Sequence, residues 1–154
     1  MVRTALIFLV AGVLGLAPVQ AAQTAAAQPK SYAWHGELVT LDDASRTATI
    51  KAPIREHVGR YVNRFKPGDS LILLWDMGGK APRADHVQAL WEYDAKAAAQ
   101  PVGYVLPIKF VSADVPSLTL TFSTQVPATE LAKLKSAGPG QMVEVTAPID
   151  PLSH

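Results

Sequence analysis

The chain has no cysteine among its 154 residues, and this absence excludes several kinds of chemistry at once. Disulfide scaffolds, thiol nucleophiles, cysteine-ligated zinc, iron–sulfur clusters and thiol redox reactions all require cysteine. Charge is also scarce, because charged residues make up 18% of the chain and the formal net charge is +1. Since no segment concentrates positive charge enough to attract a polyanion, we expect no nucleic-acid partner.

Catalytic and phosphate-binding motifs are missing as well. The sequence has no Gly-x-Ser-x-Gly, no Walker loop, no Gly-x-Gly-x-x-Gly and no His-Glu-x-x-His. The acidic pair Asp42-Asp43 lies in a predicted turn, where binding of local backbone N–H groups explains it better than acid–base catalysis. The sequence therefore favours a non-catalytic protein without a cofactor. The enzyme that it leaves open is a small hydrolase with two carboxylates in one cleft, for which the candidates are Glu37, Asp76 and Glu92.

The segment 1–21 has the layout of a secretion signal. Arg3 gives a positive start, residues 5–16 form an uncharged apolar run, and Val19-Gln20-Ala21 suits cleavage after a small residue. The apolar run is shorter than the roughly 20 residues that cross a bilayer as a helix, although an uncleaved anchor is the alternative. We predict a removed signal peptide over 1–21, a flexible leader over 22–30, and a periplasmic or secreted protein that does not span a membrane.

Short strands separated by turns dominate the rest of the chain, of which 49% is hydrophobic. Residues 47–54 alternate, with Ala48, Ile50 and Ala52 on one face, and this pattern predicts one strand of a half-buried hairpin. Apolar residues then recur every three to four positions over 54–65, which predicts a short amphipathic helix. An irregular strand is the alternative there, because Gly59 and β-branched residues lower the helix propensity.

The order of elements in the first half recurs in the second half. Strand, turn, strand, proline, helix, Pro-Gly and strand follow one another twice, and the best match of the two halves pairs Thr47 with Ser117 and Ile50 with Leu120. We predict an internal duplication, although any small β-protein shows strands and turns in sequence. The predicted division is a first β-barrel-like unit over 31–94, a linker over 95–101, a second unit over 102–150 and a tail over 151–154.

Each half has the layout of a small Greek-key barrel of the OB type, with short strands and one short helix per unit. Three stretches resemble small periplasmic OB-like modules, which include the copper-binding domains that accompany metal-efflux pumps: Gly36–Asp42, Thr47–Ile54 and Pro67–Leu71. The resemblance implies an all-β fold of tandem OB-like units. That family binds Cu(I) or Ag(I) through a histidine, two closely spaced methionines and a tryptophan, whereas this chain has no Met-x-Met and continues as Arg55-Glu56-His57.

We therefore predict no metal site. If the chain did hold a metal, its ligands would come from His35, His57, His86 and Met77, with imidazole and thioether donors suited to copper or zinc. No two histidines are spaced to share one face of a strand or one turn of a helix. A periplasmic metal carrier or sensor is therefore the alternative to a binding protein.

Two groups of residues are candidates for a ligand or partner surface. Tyr32 and Trp34 precede the first predicted strand, where we expect them to be exposed and able to contact a partner. Arg55, Arg60 and Arg64 follow one face of the predicted helix and could hold an anion, with a solvated face as the alternative. The sequence thus predicts a secreted or periplasmic, non-catalytic binding protein whose partner is an envelope protein, a polysaccharide or a small ligand.

Overall fold

The computed structural model describes residues 31–77, 83–93 and 104–148, and strands dominate these ranges. The elements are β1 (Ser31–Asp42), β2 (Thr47–Pro53), α1 (Glu56–Gly59), β3 (Ser70–Met77), β4 (Arg83–Glu92), β5 (Val105–Asp114), β6 (Thr119–Gln125), α2 (Leu131–Ala137) and β7 (Met142–Pro148). The predicted all-β class is confirmed. The predicted signal peptide, leader, linker and tail lie outside the described residues.

The strands form one sheet in the order β2-β6-β5-β3-β4-β1-β7, and β1 also pairs with β2. Six strands therefore close into a ring, and β7 pairs with the first part of β1, from Ser31 to Glu37. All pairings between the described strands are antiparallel except that of β1 with β4. Strands from the two predicted units interleave in this sheet, because β6 pairs with β2, β5 with β3 and β7 with β1.

One hydrophobic core fills the ring, and both halves of the chain contribute to it. Alternation along β2 and β6 turns every second side chain inward, as the sequence predicts. Ile50 and Leu120 are both fully buried, and Phe122 packs against Trp34 and Trp75 at ring-centroid distances of 6.2 and 6.3 Å. None of the helices in the described ranges is long and apolar enough to cross a bilayer.

Backbone hydrogen bonds between the two halves occur in matching pairs, and the donor lies in the first half in one bond and in the second half in the other. The N–H of Gly68 donates to Phe110 O at 2.8 Å, and the N–H of Gly140 donates to Leu38 O at 2.7 Å. The β1–β2 hairpin has a bulge at Val39, and the β5–β6 hairpin has one at Val111. The two halves thus share strand register, bulges and turn contacts. We call this matching of positions, in which Leu38 corresponds to Phe110 and Gly68 to Gly140, the structural alignment of the halves.

The structural alignment corrects the match inferred from the sequence. It pairs Ile50 with Phe122 and not with Leu120. It also pairs Arg46 with Leu118, and both are turn residues with a positive φ, of 55° and 50°. The sequence pattern cannot separate the two matches, because they differ by an even shift that keeps every strand side chain on the same face.

The turn between β1 and β2 uses Asp42 as the sequence predicts. The Asp42 carboxylate accepts hydrogen bonds from the Ser45 hydroxyl at 2.7 Å and from the Ala44 N–H at 3.0 Å. The Ser45 hydroxyl and neighbouring N–H groups hold the pKa of Asp42 below its ordinary value. In the matching turn, Pro116 stands where Ala44 does and has no N–H to donate.

The predicted helix over 54–65 is present as two short pieces. Residues of α1 make one turn, and a 3-10 turn follows at Val62–Arg64. Val58 and Val62 from these turns are fully buried. Gly59 and the β-branched valines disfavour a continuous helix, so burial of the valines positions each turn separately.

Candidate binding groove

The candidate site corresponds to the place that strand β4 occupies in the first half of the chain. Strand β4 lies between β3 and β1, parallel to β1 at Ala33 and Trp34 and antiparallel to β3 along most of its length. Trp34 in β1 and Trp75 in β3 thus lie on the two strands that flank β4, and their rings stack at 5.7 Å with an interplanar angle of 15°. We call this place, occupied by β4 and lined by the two indoles, the β4 slot.

The second half has a groove at the corresponding place. In the structural alignment of the halves, Leu106 corresponds to Trp34 and Ala147 corresponds to Trp75. Both line a groove of about 930 Å³ together with residues of β5 and β6, the start of β2 and of β3, and the ends of β4 and β7. Within the described residues, no strand lies between β5 and β7 as β4 lies between β1 and β3. We call this feature the β5–β7 groove.

The groove opens where β5 and β6 part. Their last pair on this side is Lys109 with Ser123, after which β6 continues along β2 and β5 continues along β3. The hydroxyl of Thr124, a polar side chain only 5% exposed, bridges the gap by donating to Pro107 O at 3.0 Å. The divergence of two strands from a common pair thus produces the groove.

The lining of the groove combines apolar and cationic groups. Its buried apolar side chains include Leu106, Ile108, Val126 and Ala147, which are 3–7% exposed. The charged side chains among its described lining residues, Arg46 and Lys109, are both cationic and both exposed. The Lys109 ammonium donates to the Ser70 hydroxyl at 3.3 Å, and Tyr93 adds a ring that is 49% exposed. An apolar ligand with negative charge fits this lining.

The expectation that Tyr32 and Trp34 are exposed is wrong. They are 2% and 1% exposed. Tyr32 stacks on Tyr104 at 4.6 Å and donates its hydroxyl proton to Val105 O at 3.1 Å. The reason is that β1 begins at Ser31 and already pairs with β7 there. Both residues therefore belong to the first strand, and their rings point into the core.

The three arginines of the predicted cationic face lie outside the lining of the groove. Arg60 pairs with Glu56 at 3.3 Å, and the Arg64 guanidinium lies over the rings of Tyr61 and Phe65 at 4.9 and 4.8 Å. The backbone N–H of Arg55 donates to Val87 O at 3.0 Å. Arg60 and Arg64 thus contact side chains of their own segment, as stacking and i,i+4 pairing favour.

The four residues named as possible metal ligands lie on different elements. His35 in β1 contacts Glu144 at 2.7 Å and Asp85 at 3.6 Å, and joins β1 to β7 and β4. His57 in α1 donates from Nε2 to Gln88 O at 2.6 Å. His86 in β4 pairs with Asp76 in β3, and Met77 in β3 pairs with Ala84 in β4. Over 31–77, 83–93 and 104–148, no group of three or more His, Cys, Asp or Glu residues could hold a metal ion.

Sequence reasoning missed the residues of the groove. The sequence analysis assigns no functional role to Arg46, Lys109, Leu106 or Ala147. The signal that identifies them is the replacement of Trp34 and Trp75 by smaller residues at the matching positions of the second half. Comparison of the chain with protein-family models, curated proteins and solved structures finds no match.

Proposed function

We propose that this chain is an exported, non-catalytic binding protein of the cell envelope whose ligand occupies the β5–β7 groove. The observation that carries the proposal is the groove itself, in which buried apolar side chains meet the exposed cations Arg46 and Lys109. A concave apolar surface with a few convergent polar groups is the usual form of a binding site.

We also propose that the two halves are OB-like units related by duplication. Support comes from backbone contacts that repeat with exchanged partners, such as Ile54 N–H to Leu118 O and Val126 N–H to Arg46 O, both at 2.9 Å. In this proposal the first half fills its slot with β4 and two tryptophans. The second half keeps the corresponding place for a ligand.

Export is proposed from the pattern of residues 1–21. The full chain, expressed in a Gram-negative bacterium and recovered from the envelope fraction, is expected to have the intact mass of a protein that begins at Ala22. A mass that retains Met1–Ala21 would contradict cleavage of the signal.

The groove is tested with 1-anilinonaphthalene-8-sulfonate, an apolar anion whose fluorescence rises when it leaves water. We expect saturable binding of one dye per chain, because the apolar lining accepts its rings and Arg46 and Lys109 attract its sulfonate. Ala147→Trp, which restores the bulk that Trp75 supplies in the first half, and Lys109→Glu should each weaken binding about tenfold or more.

Lys51→Glu is the matched control. Lys51 is an exposed lysine on β2 outside the lining of the groove, so its charge reversal should leave dye binding unchanged. Circular dichroism checks that each variant is folded. Binding that Ala147→Trp and Lys109→Glu leave unaffected, or no saturable binding at all, would overturn the proposed function.

A further inference from the structure

We infer that the ligand of the β5–β7 groove is a free fatty acid, whose acyl chain lies in the gap between β5 and β6 and whose carboxylate contacts Arg46 and Lys109. This inference rests on the proposed function, and it specifies the chemical class of the ligand and the orientation in which it binds. Its support comes from the hydrogen bonds of the groove wall, from the side chains of the floor and from the position of the two cations.

The backbone of β5 along the groove already has hydrogen-bond partners. Val105 O accepts from the Tyr32 hydroxyl at 3.1 Å. Pro107 O accepts from the Thr124 hydroxyl at 3.0 Å, and Pro107 has no N–H. Lys109 already pairs with β6. A peptide strand or a sugar would therefore find few backbone partners along β5, and its polar groups would lose water without replacement.

The other walls of the groove also offer few backbone donors. Two more of its lining residues, Pro127 and Pro148, have no N–H. In β7, the N–H of Thr146 donates to the Glu130 carboxylate at 3.1 Å. A hydrocarbon chain needs no hydrogen-bond partners, and its transfer from water into an apolar groove is favourable. These walls therefore favour an acyl chain over a polar ligand.

The floor of the groove is aliphatic. Leu106, Ile108, Val126 and Ala147 are buried there, whereas Tyr93, the aromatic residue among the described lining residues, is exposed. The volume of about 930 Å³ is within the range of about 300–1,000 Å³ that is typical of small-molecule sites. A flexible acyl chain can follow the gap between β5 and β6 and contact these side chains along its length.

The polar side chains of the groove lie on the outer face of the sheet. Lys109, Ser123 and Gln125 occupy positions of β5 and β6 whose side chains point away from the core, as the alternation of burial shows. Thr47 occupies such a position at the start of β2 and pairs with Gln125. Arg46 precedes Thr47. A head group over this part of β6 would therefore lie among two cations, two hydroxyls and an amide.

The two cations lie on either side of β6 and favour an anionic head group. Ser123 pairs with Lys109, and Gln125 pairs with Thr47, the neighbour of Arg46. Arg46 and Lys109 are thus offset by two residues along β6, about 7 Å. In the part of the chain that the structure describes, neither forms an ion pair with a carboxylate. Their long side chains can therefore contact one ligand carboxylate together.

The width of the groove favours one acyl chain over the two chains of a phospholipid. The corresponding place in the first half holds one strand, β4, between β1 and β3. The β5–β7 groove begins in the same way, where β6 parts from β5 beyond the pair Lys109–Ser123. A gap that matches one inserted strand accommodates one extended chain, whereas two chains would have to lie side by side.

The test measures how fatty acids displace 1-anilinonaphthalene-8-sulfonate from the full mature chain. Dodecanoate should displace the dye completely, and calorimetry should give one dodecanoate per chain. Decanoate and octanoate should bind more weakly, by about two- to fourfold for each methylene removed, because each methylene in the groove has left water. Binding that does not depend on chain length would overturn the placement of the acyl chain.

Matched ligands and variants separate the head group from the acyl chain. Decanol and decyltrimethylammonium keep the chain of decanoate without its negative charge, and both should bind about tenfold or more weakly. Lys109→Glu should weaken decanoate about tenfold or more and change decanol by less than about twofold, whereas Ala147→Trp should weaken both. Lys51→Glu should change neither. Because Lys109 is exposed, its variant keeps the test valid if Ala147→Trp does not fold.

The dye and the fatty acids separate this inference from the proposed function. If Ala147→Trp and Lys109→Glu weaken dye binding but dodecanoate does not displace the dye, the fatty acid is overturned and the groove remains the binding site. Equal binding of decanoate and decanol would overturn the role of the two cations as the head-group site. Failure of both the dye and dodecanoate to bind would overturn the proposed function as well.

Three further outcomes would overturn a free fatty acid as the occupant. If the chain sediments with phosphatidylglycerol vesicles and dodecanoate does not compete, a membrane lipid is the ligand. If the chain sediments as a dimer and binds dodecanoate only after dissociation, a second copy occupies the groove. If dodecanoate binds only after residues 149–154 are removed, the segment that follows β7 occupies it. Direct binding of dodecanoate to the monomeric full mature chain supports the inference.

Discussion

Replacement of Phe122 by alanine is expected to lower the free energy of unfolding by about 3–5 kcal/mol. Phe122 is fully buried and contacts Trp34 and Trp75, which lie on the strands that flank β4. Removal of its ring leaves a cavity at the place where both halves of the chain meet. Since small domains are stable by about 5–15 kcal/mol, this single change removes a large part of the total.

Urea unfolding followed by tryptophan fluorescence measures the effect, because Trp34 and Trp75 both report on the cavity. Met142→Ala is the matched control, as Met142 is 66% exposed and its truncation should change stability by less than about 0.5 kcal/mol. A loss below about 1 kcal/mol for Phe122→Ala would contradict a single core shared by the two halves.

Replacement of Gly36 by alanine is expected to destabilise the protein by about 1–3 kcal/mol through overpacking. A Cβ at Gly36 would lie 2.3 Å from Ile50 Cγ2 and 3.1 Å from Lys51 O. Neither neighbour can move easily, because Ile50 is fully buried in β2 and Lys51 O belongs to the backbone. Glycine is therefore required next to the start of the β1–β2 pairing, where the two strands lie close together.

A double-mutant cycle identifies the contact that is responsible. Ile50→Ala removes the Cγ2 atom, so Gly36→Ala should cost clearly less in that background than in the parent chain. Gly59→Ala is the comparison, since its nearest neighbour is Leu118 Cδ2, the end of a flexible side chain, at 3.1 Å. Additive effects of Gly36→Ala and Ile50→Ala in urea unfolding would contradict the proposed close contact.

The sequence predicted the local elements of this fold well where alternation is strong. The hairpin strand over 47–54 and the turn at Asp42 both match the structure. Each depends on residues that are neighbours in the chain, so a period of two and turn chemistry suffice to identify them.

Properties that depend on pairing between distant strands could not be predicted in the same way. Tyr32 and Trp34 are buried because β7, the last strand of the sheet in chain order, pairs with the start of β1. The structural alignment of the halves is fixed by bulges and turn hydrogen bonds that the hydrophobic pattern does not record. The groove depends on both, since it exists only where β5 parts from β6 beside the end of β7.

Hydrogen–deuterium exchange with and without saturating 1-anilinonaphthalene-8-sulfonate tests most directly whether the β5–β7 groove is the binding site. A ligand that binds the folded chain slows the local opening of the segments that it contacts. We predict slower exchange in residues 105–109 of β5 and in residues 123–126 at the end of β6 when the dye is present, and unchanged exchange in residues 85–90 of β4, which lie outside the lining. Slowing confined to β4, or no change in β5 and β6 at saturating dye, would contradict the account.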